Sequence, residues 1–122
     1  MTNRSGATAR RKGATYDREV RDWLEKTGFT PIKGSVGLPV ADVTVEELPW
    51  LCIEVKNQAK MELASWVDQA IRQAAEAETL TTPKVGAVFH KRRGYSVVGN
   101  HYVTMRTNQF LWMIRKLMKE NQ

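Results

Sequence analysis

The chain has 122 residues and a formal net charge of +6, with 42% hydrophobic and 26% charged residues, the proportions of one globular domain. At this length a core can bury roughly two-thirds of the surface that the unfolded chain exposes, so neither disulfides nor a structural metal is required. The single cysteine, Cys52, excludes an intramolecular disulfide and a cysteine-cluster zinc site. The apolar runs fall far short of the roughly 18 residues of a membrane span, so no membrane partner is expected. No signal-peptide stretch is legible, and the expected location is intracellular: cytoplasmic or nucleoid-associated, or host cytoplasm if phage-encoded.

Residues 1–12 are mostly Thr, Asn, Ser, Gly and Arg, which predicts a flexible basic tail ahead of one domain over residues 13–122. From Ala14 to Thr27, Tyr16, Val20, Trp23 and Leu24 recur at helical spacing, and Gly28 stands where a C-terminal cap belongs. Phe29 to Ile32 reads as a short strand, and Gly34 to Pro39 as a loop. Strands follow at Ala41 to Val45 and Trp50 to Val55, separated by a turn at Glu46-Glu47-Leu48-Pro49. Glu62 to Glu78 places Leu63, Trp66, Val67, Ala70, Ile71 and Ala74 on one helical face, and Thr79 to Pro83 ends it. Val85 to His90 is a further strand, Lys91-Arg92-Arg93-Gly94 a turn, and Val97 to Met105 extended. A last helix from about Asn108 to Lys119, capped by Thr107, has Phe110, Leu111, Ile114, Leu117 and Met118 on one face. The order αβββαββα implies an α/β domain with a mixed central sheet flanked by helices.

Charge is segregated along this order. Residues 1–16 carry four bases and no acid, residues 17–78 seven bases against twelve acids, and residues 79–122 eight bases against one acid. An acidic middle between basic arms suits a cation-binding centre gripped by a polyanion.

The strand Leu51-Cys52-Ile53-Glu54-Val55-Lys56 is the most informative segment. Alternation puts Leu51, Ile53 and Val55 on one face and Cys52, Glu54 and Lys56 on the other. A carboxylate in so apolar a strand costs several kcal/mol unless it is paired or bound to a cation. An acid and a lysine two positions apart most often form a surface ion pair. Here, however, the triplet is the only acid-x-Lys among nine lysines and ends the best strand. Asp42 precedes it on the neighbouring strand, and a hairpin would carry it to the same place as Glu54. Two carboxylates and a lysine would then converge, a set of hard ligands suited to Mg²⁺ or Mn²⁺.

Asp42, Glu54 and Lys56 in a helix-strand-strand-strand-helix order resemble the core of the PD-(D/E)xK nucleases. The run Arg11-Lys12-Gly13-Ala14-Thr15-Tyr16-Asp17-Arg18-Glu19, the strand around Glu54 and the loop serine Ser35 resemble the archaeal-type Holliday-junction resolvases within that superfamily. The resemblance covers roughly residues 11 to 75. It departs from the pattern at helix one, where Asp17 stands in place of glutamate and Glu19 is an alternative, and at Pro39, three residues before Asp42.

The resemblance implies a restriction-endonuclease-like fold and a metal-dependent endonuclease. Asp42, Glu54 and the Val55 carbonyl would hold Mg²⁺, with Asp17 completing the shell, and Lys56 would assist attack on a DNA phosphodiester. The implied substrate is a four-way junction, cut in recombination or repair by a homodimer. Arg10, Arg11, Lys12, Arg18, Ser35, Gln69, Lys91, Arg92 and Arg93 are the DNA-contact candidates. The competing readings are a nuclease of the same kind for flaps, single strands or duplexes, and a non-catalytic DNA-binding module. His90 and His101 lack a second ligand at metal spacing and read as structural. The four tryptophans read as core or interface residues.

Overall fold

The computed structural model describes residues 2–34, 41–77 and 84–121. Its elements are α1 (Thr2–Lys26), β1 (Pro31–Lys33), β2 (Val43–Val45), β3 (Leu48–Lys56), α2 (Leu63–Ala77), β4 (Val85–His90), a 3-10 turn (Val98–Asn100), β5 (Tyr102–Thr104) and α3 (Thr107–Glu120). The five strands form one sheet in the order β1-β2-β3-β4-β5, antiparallel throughout except for the parallel pair β3 and β4. The chain is therefore α/β with a mixed open sheet flanked by helices.

The two faces of β3 separate as alternation predicts. Ile53 and Val55 pack with Val43, Val45 and Val98 against Tyr16, Val20 and Leu24 of α1. On the other face Cys52 meets Ala41 and Ala74, and Val88 meets Trp66 and Ala70 of α2. The helix α2 approaches β4 very closely. A Cβ built on Gly86 would lie 2.5 Å from the Ala70 carbonyl oxygen and 2.9 Å from the Ile71 nitrogen. The third helix is different: none of its residues is buried. It is tied to the sheet by Gly86 N–H donating to Gln109 Oε1 (2.9 Å) and by Trp112 edge-on to Trp50 at 5.7 Å, while Arg106 at its N-cap pairs with Asp68 of α2 (3.0 Å).

Several boundaries differ from the sequence reading, each for a local reason. The first helix begins at Thr2, well before Ala14, so the backbone of the stretch read as a flexible tail is helical. Ala7, Ala9, Arg10, Arg11 and Lys12 are all strong helix formers. Phe29 is not in β1, because its N–H closes α1 by donating to the Leu24 carbonyl (2.9 Å) around Gly28 at φ +100°. Leu48 and Pro49 belong to β3, which shortens the turn to Glu46-Glu47 and shifts the β2–β3 register between Thr44 and Val45. The extended stretch after the basic turn is interrupted at Val98, which leaves the sheet direction to bury against α1. Arg106, not Thr107, occupies the cap of α3, without a side-chain cap bond; a guanidinium has no acceptor to offer. Of the predicted loop Gly34 to Pro39, residues 35–39 lie outside the described residues, as do residues 78–83 at the end of the second helix.

Because the α2 backbone fills the space at Gly86, its replacement must lift α2 from the sheet. Gly86→Ala is expected to destabilise the fold by about 2 kcal/mol or more, measured as a lower denaturant midpoint at unchanged slope. A midpoint within experimental error of the parent would show that α2 does not seat as closely as described.

Candidate active site

The hairpin brings Asp42 and Glu54 together. The pairs Thr44–Cys52 and Val43–Ile53 share one register, and its continuation by one residue sets Asp42 opposite Glu54. The strand β2 has ended there, so the Val55 N–H has no strand partner on that side. It donates instead to Asp42 Oδ2 at 2.9 Å. A strand residue directs its N–H and C=O to the same edge, so the Val55 carbonyl lies on the Asp42 side as well. Asp42 is itself held by its own backbone, whose carbonyl accepts from Gly34 N–H at 2.8 Å.

Glu54 is 4% exposed, and its Oε2 is buried without a hydrogen-bond partner. Its pKa is pushed from the usual carboxylate range up to about 9. Burial is the main cause, followed by the hydrogen bond to Asp42 and that residue's charge, with a smaller push from Asp17; Lys56 opposes the shift. Asp42 and Glu54 thus hold one proton between them far more readily than two negative charges. Lys56, half-buried at the end of β3, is the cation that acts on Glu54.

The two candidates on α1 face different neighbours. Asp17 contributes to the field at Glu54, and its Oδ1 accepts from Arg21 Nε at 2.7 Å. Glu19 faces Lys91, whose Nζ stands 3.7 Å from Glu19 Oε2. It also adds to burial in raising the pKa of Tyr16, a fully buried residue. The turn of the helix therefore favours Asp17 as the residue directed to the carboxylate pair. Among the described residues, no three His, Cys, Asp or Glu side chains are placed to hold a metal ion together. The donor set is Asp42 and Glu54, with the Val55 carbonyl on the same edge. Its chemistry and the unpartnered Glu54 Oε2 fit a hard divalent cation.

Past the ends of β3 and β4 lies a basic groove. The strands β3 and β4 are parallel, and Lys91 N–H donates to the Lys56 carbonyl (3.1 Å) where both end. The residues that follow them, Asn57 and Lys91, line two adjoining cavities of about 390 and 370 Å³ together with Lys12 of α1. Arg11 lines the first, and Arg92 and Arg93 the second. Ligands of α/β sheets characteristically bind at such carboxyl ends of parallel strands.

Of the sequence-derived contact candidates, Arg11, Lys12, Lys91, Arg92 and Arg93 are thus brought together. Arg10 and Arg18 are exposed on α1 and Gln69 is half-buried on α2, outside the lining of these cavities. Ser35 lies outside the described residues. Asn57 and Tyr102 were missed by sequence reasoning. Asn57 could have been found from its place directly after Lys56, whereas Tyr102 had no local signal.

His101 is structural, accepting from Tyr16 Oη at 2.9 Å on Nδ1 while Nε2 donates to the Tyr95 carbonyl. His90 lies within ring-contact distance of Trp66 and Tyr102, and burial lowers its pKa. No protein-family model, curated protein or solved structure matches the chain.

Because the pKa of Glu54 is raised on folding, the folded chain binds more protons than the unfolded one between about pH 4.5 and about pH 9. The Glu54 contribution to metal-free stability is therefore full below about pH 4.5 and is lost as pH rises towards 9. The depressed His90 acts in the opposite sense at lower pH, so the informative quantity is the difference from Glu54→Gln. That variant should gain on the parent steadily from pH 5 to 9 in chemical denaturation. A constant difference across this range would show that Glu54 is not held protonated.

Proposed function

We propose that the chain is a metal-dependent endonuclease that hydrolyses DNA phosphodiester bonds, with a restriction-endonuclease-like core. The carrying observation is the buried Asp42–Glu54 pair beside Lys56 on a strand whose next residue, Asn57, lines a groove that carries five cations. A carboxylate pair of this kind is destabilising by itself. A divalent cation held by Asp42, Glu54 and the Val55 carbonyl would relieve that repulsion, and when bound would lower the pKa of a water and neutralise charge on the scissile phosphate.

The chain's own residues account for the remaining steps. Glu54 must surrender its proton for both carboxylates to ligate, so cation binding releases a proton and strengthens with pH. Lys56 orients the attacking water or stabilises the charge that develops on the phosphate. Asp17, on the helix above, adds negative potential to the same point or ligates through water. Arg11, Lys12, Lys91, Arg92 and Arg93 hold neighbouring phosphates and set register without reading sequence.

The substrate proposed from the sequence resemblance is a four-way junction, which requires two symmetric incisions and is served most simply by a C2 dimer. The helix α3 is the proposed dimer face. It buries no residue within the chain and leaves Phe110, Leu111, Leu117 and Met118 exposed.

Asp42→Asn and Lys56→Ala are each expected to lower cleavage in Mg²⁺ by about a hundredfold or more, with binding in EDTA retained. Four-way, flap, single-stranded and duplex DNAs of matched sequence identify the substrate. Parental rates in both variants would overturn the assignment. Sedimentation of the chain on an intact junction should show two copies, and Leu111→Glu with Met118→Glu should reduce this to one. A single copy on the junction with the parent chain would remove the dimer from the proposal.

A further inference from the structure

The groove contains an aromatic residue that phosphate binding does not require. Tyr102 lies on β5 at the edge of the sheet, lines the groove and is 47% exposed. Its position is not dictated by apolar packing, since a ring serving only the core would be buried. Arg92 sits beside it, with the guanidinium carbon 3.7 Å from the centre of the Tyr95 ring and 5.5 Å from that of Tyr102. The cation is therefore seated on Tyr95, while Tyr102 keeps much of its surface open to the groove.

Charge and ring together select among nucleic acids. Lys12, Lys91, Arg92 and Arg93 lie along the cavity that holds Tyr102, and Glu19 in the adjoining cavity pairs with Lys91. A backbone tracking these cations would bring successive bases past the tyrosine. In a duplex both faces of a base are covered by its neighbours, so an exposed ring gains nothing from them. In an unpaired segment a base can stack on the ring, and basic grooves carrying aromatic side chains bind single strands in this way.

We infer that the groove formed by Lys12, Asn57, Lys91, Arg92 and Tyr102 seats an unpaired stretch of DNA, with Tyr102 as a base-stacking platform past the end of the strand that carries Glu54. The inference rests on the nuclease reading for the choice of DNA and deepens it. On this inference the preferred substrate carries unpaired nucleotides, as a flap or a single strand does, and the fully paired four-way junction suggested by the resemblance gives way to it.

The test is binding by the full chain in EDTA, followed by fluorescence anisotropy. The probes are a labelled 12-nucleotide oligothymidine, an abasic chain of the same length and charge, and a 12-base-pair duplex. Oligothymidine should bind about tenfold more tightly than the abasic chain. Tyr102→Ala should abolish that advantage and leave duplex binding unchanged, while Tyr102→Phe preserves it. Lys12→Ala should weaken all three probes and reduce the salt slope by about one.

Equal affinity of the parent chain for oligothymidine and the abasic chain would overturn the inference, whatever the state of the variants. So would an equal loss by Tyr102→Ala on every probe. Absence of cleavage with base-dependent binding intact would instead remove the nuclease reading and leave the groove assignment standing.

Discussion

The architecture around the candidate site turns on one costly feature, a carboxylate buried at the end of the central strand. Glu54 is almost fully covered, and one of its oxygens has no hydrogen-bond partner. Asp42 is placed against it because β2 stops one residue short and leaves the Val55 N–H to a side chain. Burial and the neighbouring acid raise the Glu54 pKa, and Lys56 offsets only part of this. A fold optimised for stability alone would place an apolar residue there. The strain of two adjacent acids therefore accords with a site that becomes satisfied when a cation is bound.

The rest of the chain supports this point from two sides. The α1 face of the sheet is a continuous apolar layer in which Tyr16, Val20 and Leu24 lock the helix over Val43, Ile53 and Val55. That lock fixes the rotation of α1 and so decides that Asp17 acts on Glu54 while Glu19 turns to Lys91. The α2 face is packed more closely, with alanines and Gly86 allowing backbone to approach backbone. Between these layers the parallel pair β3 and β4 ends in one place, and the basic turn that follows β4 is delivered beside the acidic centre.

A second device recurs at the opposite side of the sheet. Where β5 does not reach Gly86, Gln109 of α3 accepts its N–H, as Asp42 accepts that of Val55. In both places a side chain replaces a missing strand, since a buried backbone donor cannot be left unpaired without cost. At one place the substitute is a neutral amide and the role is anchoring. At the other it is a carboxylate next to another carboxylate, which leaves an acid pair that shares a proton.

Much of this was legible in the sequence. Alternation in Leu51 to Lys56 separates the two faces of β3, helical spacing identifies the core residues of α1 and α2, and the isolation of Glu54-Val55-Lys56 in an apolar strand marks the centre. These are local patterns, dictated by backbone period and by the cost of burying charge. The sequence did not disclose that the helix runs on through the basic N-terminal stretch, because its helix formers stand among polar residues with no apolar periodicity to mark a face. Nor did it choose between Asp17 and Glu19, which flank the same apolar stripe, or bring Tyr102 to Lys12 across about ninety residues. Those outcomes were decided only by tertiary structure, because they depend on how a helix is rotated against a sheet and where two strands end together.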